Sequence, residues 1–454
     1  MFHKAFPTNG GLRFVAFTAA LLSSAATVIG TGAPPAAAAT VTPDTAGAVS
    51  VRSYGAVGDG SRDDTAAFLK AQDAALKSTL RYSPGPTGAP QAVVYVPPGT
   101  YRLIRLPFRS NVRMEVDAGA VLEQAGGRYV STKDNVAALM VWDGPGRSPL
   151  TNVTLTGVNQ STGGVKASAD PVASGWSIAP DFTFNLDPAT TDASVKVAGV
   201  QALNVTGFLI ENVFSIQNDS QPATVPTTDD GWWPSTRKAA LGLKERADTP
   251  ADGSVFYDPH NGTVSNWYNI HGPKGFGPNQ VNAGHQLQFH HIFSQGGTAL
   301  RLETDASQGK SFAAELRGVT ADDINGLNCN RAVSFSPHSQ FNYDVNVTNV
   351  RAVNCAQGVV ESIDETNKWP AGAFVNSTIA NVSVTGGAGA QLGTNPNGPW
   401  TVGTSQKAFA KDKSRKATWS VAYAAGTFSC RGTFQSTSDL IKISNGLVAP
   451  VCQP

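Results

Sequence analysis

The 454-residue sequence predicts an all-β solenoid, and three observations predict it. From residue 111 onward, short apolar runs alternate with Gly and Asn turns, the signature of stacked coils. The segment Ile324-Asn325-Gly326-Leu327-Asn328-Cys329 lies over Val350-Arg351-Ala352-Val353-Asn354-Cys355 without a gap, so two cysteines recur one coil apart. A chain with 46 Gly, 28 Pro and 15% charged residues would at this length ordinarily hold two or more domains, unless its fold grows lengthwise.

The chain opens with Lys4 and Arg13, an apolar run from Phe14 to Ile29, and small residues at Ala36 to Ala39. This is the pattern of a signal peptide over residues 1–39, and export is expected. Nothing else approaches the roughly 20 apolar residues of a membrane span, so no membrane anchoring is expected. Removing 1–39 changes 34 basic against 33 acidic residues into 32 against 33, a balance without the basic footprint of a nucleic-acid binder. Residues 40–50 read as a leader, 51–399 as the solenoid and 400–454 as a C-terminal cap or small module.

At the start of the solenoid, Gly and Asp cluster in Tyr54-Gly55-Ala56-Val57-Gly58-Asp59-Gly60-Ser61-Arg62-Asp63-Asp64-Thr65. Ala66 to Leu76 then carries apolar positions at helical spacing, behind two acids that suit a helix N-terminus. Ala92 to Val96 is a strand, Pro97-Pro98-Gly99 a turn, and Thr100 to Leu103 a second strand. This opening resembles that of secreted right-handed parallel β-helix proteins of the pectin-lyase type, in which the helix would cover the open end of the core. Further strands are expected at 111–116, 152–155, 208–216, 287–292, 316–327, 345–353 and 379–384. Residues 219–262, with Trp232, Trp233 and a basic run to Lys244, break the rhythm and read as a loop insertion beside a groove.

Four cysteines without metal-ligand spacing are an even set for an exported chain. Stacked coils lie about 4.8 Å apart, which puts Cys329 and Cys355 within reach of a disulfide. Cys430 and Cys452 would then staple the tail.

The chemistry is expected in Leu300-Arg301-Leu302-Glu303-Thr304-Asp305. If Leu302 faces the core, Arg301, Glu303 and Asp305 share the outer face, the two acids with Cα atoms roughly 6.6 Å apart. That is near the lower end of the separation, about 6.5–9.5 Å between carboxyl groups, that admits a water in an inverting glycosidase. A solvated acidic face is the alternative. Gln280 and His338 fall about one coil to either side, as neighbours for the pair. Arg301 either pairs with the acids or binds an anionic substrate through its planar donors. His285, His290 and His291 suggest a metal site, but His290 and His291 point to opposite faces of a strand, and none is assigned. Trp232, Trp233 and Trp267 are candidates for stacking on sugar rings or for the core.

The stretches Gly277 to Val281, Gly296 to Asp305 and Phe335 to Ser339 resemble the iota-carrageenases, family 82 glycoside hydrolases that cut sulfated galactans. The resemblance covers roughly residues 195–365. It implies Glu303 as proton donor, Asp305 as base, and Gln280 and His338 as completing the site; beside these, Arg301, Trp232 and Trp233 are the candidates for binding substrate. It implies an endo-acting, inverting hydrolase of β-1,4 linkages, a secreted monomer whose partner is a polysaccharide. No cofactor is required; a structural calcium ion is left open. Three other readings stay open: a polygalacturonase, although its acidic motifs are out of order here; a lyase, although no calcium-binding acids lie beside a catalytic base; and a carbohydrate-binding β-helix without catalysis.

Overall fold

The computed structural model describes residues 46–124, 136–158, 182–186, 196–217, 239–250, 255–272, 277–304, 314–337, 340–353, 355, 357–363, 373–385, 416–422, 427–430 and 452–453. Two sheets wind into a right-handed parallel β-helix. One is a nine-stranded sheet of short strands, among them Lys196–Ala202, Leu241–Leu243, Asn279–Val281, Thr298–Glu303 and Arg331–Ser336. The other is a 17-stranded sheet of longer, bent strands such as Val205–Ile216, Pro259–Gly272, Gly284–Gly296, Leu316–Leu327 and Phe341–Val353.

These long strands bend at residues with positive φ, and the bends stack from coil to coil. The first column holds Asn152, Gly207, Asn261, Gln286, Gly318, Asp344 and Asn376; the second holds Asn212, Asn266, His291, Asp323, Asn349 and Asn381. Left-handed backbone costs most residues about 1–2 kcal/mol, and Asn tolerates it best because its short amide bonds locally. Here the amides also bond along the column: Asn266 Nδ2 donates to Asn212 Oδ1 at 3.0 Å and Asn381 Nδ2 to Asn349 Oδ1 at 3.1 Å. The Asn residues read in the sequence as strand-separating turns are therefore corners inside continuous strands, and the strands expected at 287–292 and 345–353 run back through the corners at Gln286 and Asp344 to span Gly284–Gly296 and Phe341–Val353.

The helix spans Thr65–Lys77 and buries Ala67, Phe68, Ala71, Gln72 and Ala75. Its two leading acids divide the work. Asp63 Oδ1 accepts from the Thr65 amide at 2.9 Å, while Asp64 turns away to accept from the Val57 amide at 2.8 Å, fixing the Gly-rich turn. The first strand, Val49–Ser50, pairs with Val94 and Tyr95, two residues before the expected start of order. Residues 1–39 and most of the leader lie outside the described residues, as does most of 400–454. Within the tail, Lys416–Ala422 and Thr427–Cys430 pair antiparallel with the last coil. Cys430 stands opposite Cys452 in such a pair, although their side chains lie outside the described residues.

Inside the coil the core is aromatic and aliphatic, with Trp142, Trp267, Phe182, Phe184, Phe208 and Phe289 fully buried. Trp267 is thus a core residue; its indole donates to Ser215 Oγ at 2.8 Å, and Ser215, Asn269 and Ser294 continue as a buried hydrogen-bonded column. The cysteine ladder is as expected: Ile324 registers with Val350 and Leu327 with Val353, and Cys329 bonds Cys355 with Cα atoms 4.3 Å apart. Gly326 leaves room for it, since a Cβ there would meet Cys329 Sγ at 2.6 Å. The bridge closes a loop of 26 residues, for which chain entropy gives about 3.5 kcal/mol of stabilisation. A Cys329→Ala/Cys355→Ala variant is expected to lose about that much in denaturant unfolding; an unchanged midpoint would show that the bridge contributes nothing.

The segment read as an insertion over 219–262 is shorter than expected. Leu241–Leu243 is a regular strand of the nine-stranded sheet, and Pro259 already begins the next long strand. Trp232 and Trp233 lie outside the described residues.

Candidate active site

The site is built on the outer face of the nine-stranded sheet. Leu241–Leu243, Asn279–Val281, Thr298–Glu303 and Arg331–Ser336 run parallel with Leu243, Val281, Leu302 and Phe335 in one inward row. Leu302 is fully buried in the core, so its neighbours Arg301 and Glu303 project outward, as alternation requires. Gln280 registers with Arg301, and Ser334 follows on the next coil.

These outward side chains are not solvated. Glu303 is 5% exposed, Arg301 4% and Gln280 5%, so Glu303 is not turned to water. Gln280 Nε2 donates to Glu303 Oε2 at 2.6 Å and Arg301 Nη2 to Glu303 Oε1 at 2.5 Å. Asn282 Nδ2 donates to the Glu303 backbone carbonyl at 2.7 Å. Both carboxylate oxygens therefore accept hydrogen bonds, one of them charge-assisted, and the side chain is held in a single orientation.

Of the residues expected here, the structure brings together Gln280, Arg301 and Glu303; Asp305 and His338 lie outside the described residues. Asn282 was missed, although the alternation Gln280-Val281-Asn282 places it on the same face. Arg301 pairs with Glu303, one of its two expected uses.

A second polar cluster sits where the chain turns from this sheet into the long strands. His285 Nδ1 lies 2.5 Å from Asp258 Oδ2, and its Nε2 lies 3.3 Å from Glu315 Oε1. Arg317 Nε donates to the same Glu315 oxygen at 3.0 Å. Burial works against the imidazolium, but hydrogen bonds and charge from Asp258 and Glu315 outweigh it and push the His285 pKa up to about 9. His285 is thus held as a cation between two carboxylates, each from a different coil. His291 lies 2.6 Å from Asp323 Oδ2 in the second corner column. A raised folded-state value means that the His285 contribution to stability is complete below the unfolded pKa of about 6.5 and is lost as pH rises through 9. Thermal unfolding from pH 6 to 10 is expected to show this loss above neutrality, and a His285→Gln variant to flatten it; equal slopes in both proteins would contradict the assignment.

A family model described as Rhamnogalacturonase A/epimerase, pectate lyase-like, matches residues 48–114, the opening turn, helix and first coils. An iota-carrageenase of Zobellia galactanivorans is 25% identical over 291 residues, covering 63% of this chain and 50% of that protein. One of Alteromonas macleodii is 24% identical, covering 68% of this chain and 51% of that protein. The chain resembles the iota-carrageenases. It spans about half the length of the curated relatives it matches. Among solved structures, a galactohydrolase of 1,3-α-1,4-β-D-galactose-4-sulfate-3,6-anhydro-D-galactose-2-sulfate has a TM-score of 0.56 at 18% identity, over 85% of this chain and 88% of that one. An iota-carrageenase complexed to iota-carrageenan fragments has a TM-score of 0.51 at 19% identity, over 73% of this chain and 61% of that one. At these identities the structures speak for the fold, a right-handed parallel β-helix. The family resemblance comes from the sequence relatives, in agreement with the motifs of the central coils.

Proposed function

We propose that this protein is a secreted, endo-acting glycoside hydrolase that cleaves β-1,4 linkages of sulfated galactan, iota-carrageenan in particular, with inversion. The observation that carries the reading is the buried Glu303 carboxyl, fixed by Gln280 and Arg301 on the outer face of the sheet at the position the family resemblance gives to the proton donor.

In this reaction Glu303, protonated, gives its proton to the glycosidic oxygen as the bond from that oxygen to the anomeric carbon breaks. Asp305 takes a proton from a water that attacks the same carbon from the opposite face, so the new hydroxyl has inverted configuration. Gln280 spends one N–H on Glu303 and keeps a second N–H and its carbonyl for that water. A second carboxyl group at Asp305 disfavours ionisation of Glu303 while the Arg301 guanidinium favours it, so the proton that Glu303 donates is taken up against the pull of Arg301 and with the help of Asp305. His338 orients Asp305 or meets a sulfate, and Trp232 and Trp233 flank the sugar. The protein acts as a monomer, and export by the N-terminal signal takes it to its polymer.

Incubation with iota-, kappa- and lambda-carrageenan and with polygalacturonate, followed by reducing-end assay and sizing, tests the reading. A rapid fall in the size of iota-carrageenan is expected. Cleavage of polygalacturonate instead, or ultraviolet-absorbing products, would replace it with a pectinolytic or a lyase activity.

A further inference from the structure

Asn342 occupies a position at which the fold otherwise puts apolar side chains. It registers with Leu316 on one side and Phe374 on the other, and all three are fully buried. A buried amide at such a place needs hydrogen-bond partners to be tolerated, and its partners indicate what it is for. Asn342 Oδ1 accepts from the Leu316 amide at 2.9 Å, and Asn342 Nδ2 donates to Thr304 Oγ1 at 3.1 Å. Thr304 is itself fully buried; its hydroxyl donates to the Pro337 carbonyl at 3.1 Å and its amide to the Ser336 carbonyl at 3.1 Å.

Thr304 stands between Glu303 and Asp305 in the chain, and Leu316 is the residue at which the chain enters the next long strand. One amide therefore ties the side chain of the residue after Glu303 to the backbone amide at which the next long strand begins. The next corner offers a contrast. There Ser377 Oγ accepts from the Val345 amide at 3.1 Å and donates to the Val375 carbonyl, a cap whose bonds among the described residues stay within its own corner. From this geometry we infer that Asn342, acting through the Thr304 hydroxyl, is a positioning residue that fixes the end of the strand that carries Glu303, and with it the placement of the Glu303 carboxyl. The inference rests on the hydrolase reading above. It adds a residue 39 positions from Glu303 in sequence (342 minus 303) that touches neither the substrate nor a reacting atom.

The test compares Thr304→Val, which keeps shape and loses the hydroxyl, with Thr304→Ser, which keeps the hydroxyl, and with Asn342→Ala. The parental protein and Glu303→Gln are run alongside. Kinetics on iota-carrageenan, the pH profile of kcat/KM and hydrogen exchange at the Leu316 amide are measured for each. Thr304→Val and Asn342→Ala are expected to lower kcat by about ten- to a hundredfold with KM within threefold, and to shift a limb of the pH profile, since the ease of protonating Glu303 depends on its placement against Arg301 and Gln280. Thr304→Ser should restore both quantities towards parental values, and only Asn342→Ala should speed exchange at Leu316. If Thr304→Val is less stable yet keeps the parental kcat and pH profile, Asn342 is a corner cap and the inference is wrong. An inactive parental protein would overturn the hydrolase reading, and the positioning role with it.

Discussion

Replacing Glu303 by Gln is expected to reduce kcat on iota-carrageenan by about 10³-fold, within the usual range for loss of a general acid, while KM changes only a few-fold. The substitution preserves shape, and a Gln side chain still offers a carbonyl to Arg301 and can pair with the Gln280 amide. Circular dichroism should therefore stay close to parental, while thermal unfolding should show a loss, because the buried Arg301 guanidinium keeps a hydrogen-bond partner but loses its counter-charge. What disappears is the transferable proton. Parental turnover by Glu303→Gln would remove the central residue of the proposed mechanism.

The second large effect is expected at Arg301. Its guanidinium is 4% exposed and bonds a carboxylate that is 5% exposed, so Arg301→Met would strand a charge that water does not reach. Breaking a buried pair from one side typically costs about 3–5 kcal/mol, most of it the penalty on the partner left behind. Denaturant unfolding of Arg301→Met should show a loss of that size, together with reduced kcat because Glu303 is no longer held in one orientation. The double variant Arg301→Met/Glu303→Gln should recover part of the stability, with a coupling of about 1–3 kcal/mol. Strict additivity would show that the pair contributes no mutual stabilisation.

Much of this fold was legible in the sequence because a solenoid repeats local patterns. The helix over Thr65–Lys77, the strand Ala92–Val96 and the strand Leu316–Leu327 are signalled by their own residues. The cysteines were legible for a related reason, since a gapless alignment of two coils is also a statement of register. In the site, the strand alternation around Leu302 placed Arg301 and Glu303 on one face, and their pairing follows from it. The burial of that face did not follow, because the side chains that exclude water belong to other coils. Nor did the His285 cluster, whose partners Asp258 and Glu315 lie 27 residues before it and 30 after it (285 minus 258, 315 minus 285). Asn342 escaped for a third reason. Within Phe341-Asn342-Tyr343 it looks like any polar residue of a strand, and only the ladder shows that Leu316 and Phe374 flank it.

The most direct test of the central claim is proton NMR of iota-carrageenan during the first minutes of digestion, before the new reducing ends mutarotate. Inverting hydrolysis of a β-1,4 linkage by Glu303 and Asp305 predicts that the α-anomer appears first and that Glu303→Gln forms neither anomer. First appearance of the β-anomer, an unsaturated product, or no new reducing ends from the parental protein would contradict it.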